Sequence, residues 1–224
     1  MKITIFAATG GIGRQALEQA IAAGHDVTAV VRDPRNLPAT PARVLTADLA
    51  DAEPAALSSA VAGAGAVLSC LGSRSKADAE AGIVWHGTLA ITAAMRASGV
   101  RRIIVVSAAP VGTVPSPARP APPRYDPGDG FLLRHLLVPV VKAALRASYA
   151  DLARMEDVLR DSDLDWTVVR PPRLTGKPLT GTYRMTYDQN LRHGMSISRA
   201  DVAHVMLRVL AEPQTFRRTV SVAS

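Results

Sequence analysis

Ile3–Thr4–Ile5–Phe6–Ala7–Ala8–Thr9–Gly10–Gly11–Ile12–Gly13 is the stretch that decides the fold. Four β-branched or aromatic residues run into a glycine-rich turn, and an Ala-rich stretch of helical length, Ile12–Ala23, follows. A strand feeding such a turn, which then opens a helix, is built to hold an anion. Gly10 lets the backbone approach a phosphate closely, and Gly13 lets the helix pack against the strand. The free amides of the first helical turn, Thr9 to Gly13 included, face the ligand. The placement between a first strand and a first helix is the informative part; glycines alone are weak evidence.

Outward from this stretch the same alternation continues. Short apolar runs occur at Val27–Val31, Val44–Leu45, Val67–Leu68 and Ile103–Val106, with helical stretches at Pro54–Ala62 and Asp78–Ala97 between them. Runs apolar on both faces suit strands buried between two helix layers. Strands alternating with helices imply parallel βαβ units with right-handed crossovers. Asp48–Glu53 reads as a helix start. Gly24 and Gly99 sit where helix-ending glycines sit.

The alternation breaks at residues 110–127, which hold seven of the chain's sixteen prolines. Such a segment is neither regular helix nor central strand. A helical stretch is expected over Phe131–Asp161, kinked or divided at Pro139. Asp165–Val169 reads as a strand, Thr182–Thr186 as a short one and Val220–Val222 as the last. Ser198 reads as the N-cap of a helix over Arg199–Leu210.

Composition excludes several classes. Of the 224 residues 48% are apolar and 20% charged, a globular balance rather than a disordered one. The single cysteine, Cys70, rules out an internal disulfide or a cysteine zinc cluster, and is expected to be a buried, inert thiol. His193 and His204 show no metal-ligand spacing, and no metal is expected. The longest apolar stretch, Phe131–Val141, is interrupted by Arg134, His135 and Pro139 and is too short to span a bilayer. No apolar leader segment is legible, so a cytoplasmic location is expected. The net charge of +7 is spread thinly; Arg101–Arg102 and Arg217–Arg218 are the densest basic pairs, both read as solvated edges. Without a basic run interleaved with aromatics, neither nucleic acid nor membrane is an expected partner. A monomer or weak homodimer is expected.

The second strand ends at Val31, and Arg32 follows, nineteen residues after Gly13. An acidic residue there accepts hydrogen bonds from an adenosine ribose and favours NAD, whereas arginine suits the 2′-phosphate of NADP. Arg35 is near enough to assist, and Asp33 can pair with either arginine. NADPH is therefore the expected cofactor.

These residues carry a family resemblance. Phe6–Ala7–Ala8–Thr9–Gly10–x–x–Gly13 with Val30–Val31–Arg32–Asp33 resembles the atypical short-chain dehydrogenases, which have a Rossmann-type NAD(P)-binding domain. Leu71–Gly72–Ser73–Arg74, Pro171–Pro172–Arg173–Leu174 and Pro178–Leu179–Thr180–Gly181–Thr182–Tyr183 resemble the biliverdin reductase B/flavin reductase branch, and Ile197–Ser198–Arg199–Ala200–Asp201–Val202–Ala203 fits a shared late helix. The resemblance implies a Rossmann-type doubly wound parallel α/β sheet. The expected organisation is one domain over 1–224 with an elaborated C-terminal substrate region and a Pro-rich insertion at 111–130. It implies that Thr9, Gly10, Gly11 and Ile12 hold a pyrophosphate. Asp48 and Leu49 would flank adenine, and Leu71, Gly72 and Arg74 would lie along phosphate and ribose. Ser107 and Ala108 would approach the nicotinamide ribose, with Pro171, Pro172 and Arg173 bordering the nicotinamide. Each follows the C-terminal end of an expected strand, where open parallel sheets bind ligands. The chain departs from the family twice. Ala7 stands where glycine is usual. The tyrosine–lysine pair is not legible, because Ala153 follows Tyr149 at the fourth position.

Hydride transfer belongs to the nicotinamide, so the protein must orient it and stabilise charge on the acceptor. Ser107 is the first polar candidate, able to donate to an acceptor carbonyl or hold the nicotinamide ribose. Arg173 can bind an anionic substrate or stabilise developing negative charge but cannot donate a proton. Tyr125 can replace the missing tyrosine as acid if 111–130 closes as a lid. The expectation is an NADPH-dependent reductase of a small conjugated or aromatic acceptor, flavin- or quinone-like. The alternatives are an NmrA-like dinucleotide-sensing interaction protein and a non-redox isomerase or dehydratase that retains the cofactor.

Overall fold

Strand β1 (Lys2–Phe6) lies at the centre because its residues alternate between two buried faces. Ile3 and Ile5 join one apolar cluster, whereas Phe6 joins the other and the Thr4 hydroxyl donates to the Ala60 carbonyl at 2.6 Å. In the computed structural model, which describes residues 1–49, 54–130 and 138–224, β1 pairs in parallel with β2 (Asp26–Val31) and with β4 (Ala66–Ser69). The first half adds β3 (Arg43–Thr46) and β5 (Arg102–Val106); the second adds β6 (Asp165–Arg170), β8 (Arg184–Tyr187) and β10 (Arg218–Ala223). The sheet order is β3-β2-β1-β4-β5-β6-β10-β8, parallel except for the antiparallel edge strand β8. Chain direction across the sheet reverses between β1 and β4, the place where doubly wound sheets open a crevice. A small second sheet pairs β7 (Arg173–Thr175) with β9 (Ser196–Ser198). The sequence reading contained neither of these strands, each only three residues long.

Helices cover both faces. Helices α1 (Gly11–Ala22) and α7 (Arg199–Arg208) pack together on one side, through Ile12, Ala16 and Leu17 against Val202, Ala203 and Met206. Helices α2 (Pro54–Val61), α4 (Ile83–Ala97) and α6 (Arg146–Arg160) cover the other through Leu57, Ile91, Met95, Met155 and Leu159. The molecule is thus a single α/β domain with a doubly wound sheet.

Several boundaries differ from the sequence reading for local reasons. The helix expected over Asp78–Ala97 is two, α3 (Lys76–Glu80) and α4, because Gly82 enters the left-handed region at φ 69°. The Trp85 indole lies where a Gly82 side chain would stand. The helix expected over Phe131–Asp161 is divided at Leu145, between α5 (Val138–Ala144) and α6, and not at Pro139. Pro139 lies within α5, as its second described residue. Residues 131–137 of that expected helix, and 50–53 of the expected helix start, lie outside the described residues. Ser198 does cap α7, its side chain accepting from the Asp201 amide at 2.9 Å.

Arg102 corrects the reading of a solvated basic edge. It is buried, and its guanidinium donates to the Val209, Leu210 and Asp165 carbonyls and to the Thr167 and Thr215 hydroxyls. Burial lowers its pKa to about 10. It ties β5 to β6 and to the end of the α7 segment.

Candidate dinucleotide cleft and adjoining cavity

A cleft of about 520 Å3 opens along the carboxyl ends of β1, β2, β4 and β5. Its floor is the glycine-rich turn. Ala7 adopts φ 57°, the left-handed region that costs an L-residue roughly 1–2 kcal/mol. The alanine that stands where the family usually has glycine thus holds a backbone conformation that glycine adopts readily. The Gly10 amide then donates to the Ala7 carbonyl at 2.9 Å. A Cβ on Gly13 would lie 2.2 Å from that same carbonyl oxygen, so only glycine lets α1 pass so close.

The turn fits a phosphate. Gly10 is the N-cap of α1 and offers no side-chain cap, and the first turn holds no acidic residue. The helix therefore presents unneutralised amides and the positive end of its dipole to the cleft.

The structure brings together most of the residues that the sequence singled out. Thr9, Gly10, Gly11, Ile12, Arg32, Asp48, Leu49, Leu71, Gly72, Arg74 and Ser107 line this cleft, and Gly13 lies beneath it. Arg35 is placed otherwise. Its guanidinium is bound by Asp33 at 3.0 Å on the exposed surface and does not line the cleft. Asp33 thereby spends its carboxylate on Arg35, leaving Arg32 as the side chain that enters the cleft from this loop.

A second cavity of about 780 Å3 adjoins the first and shares Gly72, Ser73, Leu152, Leu174 and Arg199 with it. Ala108, Pro171, Pro172 and Arg173 line this cavity rather than the cleft. The remaining walls are largely apolar, with Val141, Leu145, Leu191 and Val222 among them, and Tyr149 joins from α6. Burial pushes the Tyr149 phenol above its usual pKa, so it stays protonated at neutral pH.

Tyr125 lines neither space; the Arg124 guanidinium lies 5.2 Å from its ring centroid. The Pro-rich insertion explains this. The Ser116 hydroxyl and the Ala118 amide both donate to the Asp157 carboxylate on α6, and Arg119 donates back to the Val111 carbonyl. At the far end Asp126 accepts from the Asn190 amide at 2.7 Å and from the Gly128 amide at 2.9 Å. A Cβ on Gly128 would lie 1.7 Å from the Asn190 carbonyl oxygen, so this glycine serves a close approach and not a hinge. The segment is a strap tied down at both ends. Its edges at Ala109, Pro110 and Asp129 form a wall of the cavity.

Ser107 has a partner that sequence reading missed. Its hydroxyl lies 2.8 Å from Glu156, which also receives the Arg170 and Arg160 guanidinium groups. Burial works to raise the Glu156 pKa, but the two arginines and the Ser107 hydroxyl hold it below the usual range. An ionised carboxylate only accepts, so Ser107 must donate to it. The hydroxyl proton is then not available to an acceptor carbonyl, and Ser107 offers the cleft only its accepting capacity.

Other polar groups support the walls. Asp151 on α6 accepts from the Val84 and Trp85 amides, closing the start of α4, and from the Ser73 hydroxyl at the cleft edge. Asp201 accepts from the Thr180 and Gly181 amides at 2.9 Å and from the Ser198 hydroxyl, so two of the resemblance-bearing motifs hold one another. Cys70 lines the cleft, partly buried, and desolvation raises its thiol pKa to about 12. Among the described residues no helix is long and apolar enough to cross a membrane.

Known proteins share this architecture. The UPF0659 protein C216.03 of Schizosaccharomyces pombe is 28% identical over 228 residues, spanning 97% of this chain and 89% of that protein. The oxidoreductase ylbE of Lactococcus lactis is similar at a TM-score of 0.78 and 19% identity, covering 100% of this chain and 91% of that one. ChuY, an anaerobilin reductase of Escherichia coli O157:H7, is similar at a TM-score of 0.74 and 23% identity, covering 100% and 97%. At these identities the two solved structures establish a shared fold. The family described as NAD(P)H-binding matches residues 7–213, which takes in the whole glycine-rich turn, the cleft, α7 and the second cavity apart from its β10 wall, and the chain belongs to that family.

Proposed function

We propose that this protein is an NADPH-dependent reductase of a small, flat, conjugated acceptor. The observation that carries the reading is the apolar cavity of about 780 Å3 that adjoins the dinucleotide cleft and shares Leu152, Leu174 and Arg199 with it. A cleft that only sensed a dinucleotide would not need a second, apolar space beside the expected nicotinamide position. The cavity's size suits an acceptor of flavin or quinone dimensions. ChuY, which shares the fold, is an anaerobilin reductase, and this supports a reductase reading here.

When bound, NADPH would supply a hydride. Arg32 and Arg74 would hold the adenosine end, and the amides of the first α1 turn would hold the phosphates. Ser107, donating to Glu156, would accept a hydrogen bond from the cofactor and so help to orient it. Leu152 and Leu174, which line both spaces, would exclude water from their junction. Tyr149, protonated in the cavity wall, would deliver a proton to the acceptor. Arg173, at the rim, offers a counter-charge to an acidic substituent.

The test is steady-state oxidation of NADPH and NADH against a panel of flavins, quinones and linear tetrapyrroles. The expected result is turnover with at least one panel member and preference for NADPH. Tight dinucleotide binding with no turnover on any would instead favour the sensing reading, to which the committed Ser107 hydroxyl and the absent lysine at Ala153 lend some support.

A further inference from the structure

Arg199 is the first residue of α7, yet its side chain lies across the start of α1. A Cβ placed on Gly11 would stand 2.7 Å from Arg199 Cδ and 2.9 Å from its Nε. The guanidinium therefore sits over the first turn of α1, and the residue lines both the dinucleotide cleft and the acceptor cavity. This is an unfavourable place for a cation. The helix dipole is positive there, no acidic residue occupies that turn, and no carboxylate among the described residues forms an ion pair with Arg199. Packing of α7 on α1 holds it in place, through Ala203 and Met206 against Ile12 and Leu17. Two sources of positive potential, held together by the fold and left unneutralised, call for an anion between them.

We infer that Arg199 is the side chain that neutralises the dinucleotide pyrophosphate, and that it reads the part common to NADPH and NADH. The inference rests on the dinucleotide reading of the cleft. It divides the labour between two arginines that both line the cleft. Arg32 serves the 2′-phosphate, which only NADPH carries; Arg199 serves the phosphates that both carry. The guanidinium can take two phosphate oxygens at once, a geometry that an ammonium cannot copy.

Displacement titrations with dinucleotide fragments separate the two roles. ADP-ribose has the pyrophosphate and no 2′-phosphate; adenosine 2′-monophosphate has the reverse. Arg199→Ala is expected to weaken NADPH, NADH and ADP-ribose alike, by about tenfold or more, and to leave adenosine 2′-monophosphate within about twofold. Arg199→Lys is expected to recover only part of the loss. Because Arg199 begins a helix, Gly11→Ala serves as an independent variant. Gly11 is not at positive φ and its new methyl group meets only the flexible Arg199 stem, so the protein folds and affinity falls in the same pattern by a smaller factor. Folded Arg199→Ala and Gly11→Ala variants that bind ADP-ribose as the unaltered protein does would overturn the inference alone. An unaltered protein that binds neither dinucleotide nor ADP-ribose would overturn the reading of the cleft and the inference with it.

Discussion

At the scale of single residues, the decisive question is which way each polar group points. Ser107 looks in sequence like a donor waiting for an acceptor carbonyl, but Glu156, forty-nine positions away, takes its proton. Ser107→Ala should therefore weaken NADPH binding by a few-fold, with kcat changed less than about threefold. Tyr149→Phe should do the reverse, lowering kcat by about tenfold or more with NADPH affinity unchanged. Stopped-flow and fluorescence titration measure both, and equal losses of kcat in the two variants would refute the division. Arg32 carries the cofactor choice. Asp33 is occupied by Arg35, so no carboxylate from this loop is free to greet a ribose. A charge-assisted phosphate contact is worth about 1.5–3 kcal/mol, so Arg32→Ala should raise the NADPH dissociation constant about tenfold or more and leave NADH nearly unchanged. If both weaken equally in fluorescence titration, Arg32 is not reading the 2′-phosphate.

At the scale of elements, legibility followed the distance over which structure is determined. The strand–turn–helix of residues 2–22 could be read because its causes are local: β-branched residues, then glycines at the two places where backbone must approach backbone. Ser198 could be read as a cap for the same reason. Arg199, its neighbour, could not be read as a site residue, since its place over Gly11 follows from the packing of α7 on α1. The Pro-rich segment shows the same limit. Its prolines excluded α-helix and central strand, and a short 3-10 turn forms over Ala109–Thr113, but nothing local revealed Asp157 on α6 as its anchor. Asp157 is buried and receives the Ser116 hydroxyl at 3.0 Å and the Ala118 amide at 3.2 Å. Asp157→Ala orphans both and should cost about 2 kcal/mol or more, a fall in Tm of roughly 4–8 °C for a domain of this size. NADPH affinity should hold, because the strap borders the acceptor cavity and not the cleft, while KM for the acceptor rises. Calorimetry and acceptor kinetics on the one variant check both parts; an unchanged Tm would mean the strap is not anchored there.

At the scale of the whole molecule, one buried carboxylate joins pieces that the chain keeps far apart. Glu156 on α6 meets Ser107 after β5, Arg170 at the end of β6 and its own-helix neighbour Arg160, at the seam where the cleft and the cavity adjoin. Burial alone would favour its neutral form, but the arginines outweigh burial and the folded-state pKa is lowered. A carboxyl whose pKa is lower folded than unfolded contributes stability that is complete above the unfolded value, about 4.3. That contribution is lost as pH falls through the folded value. Asp151 slopes the other way, because burial raises its pKa, so the acid limb of the unaltered protein is a sum of opposed terms. The difference between the protein and its Glu156→Gln variant isolates Glu156. Leaving Arg170 buried without its counter-ion should cost about 3–5 kcal/mol near pH 7. The gap should narrow steadily below about pH 4, where the unaltered protein also loses the charge. Urea midpoints measured from about pH 7 to pH 3 give the curve directly. A gap that stays constant across that range would show that the carboxylate's charge is not what binds the two strand ends to α6.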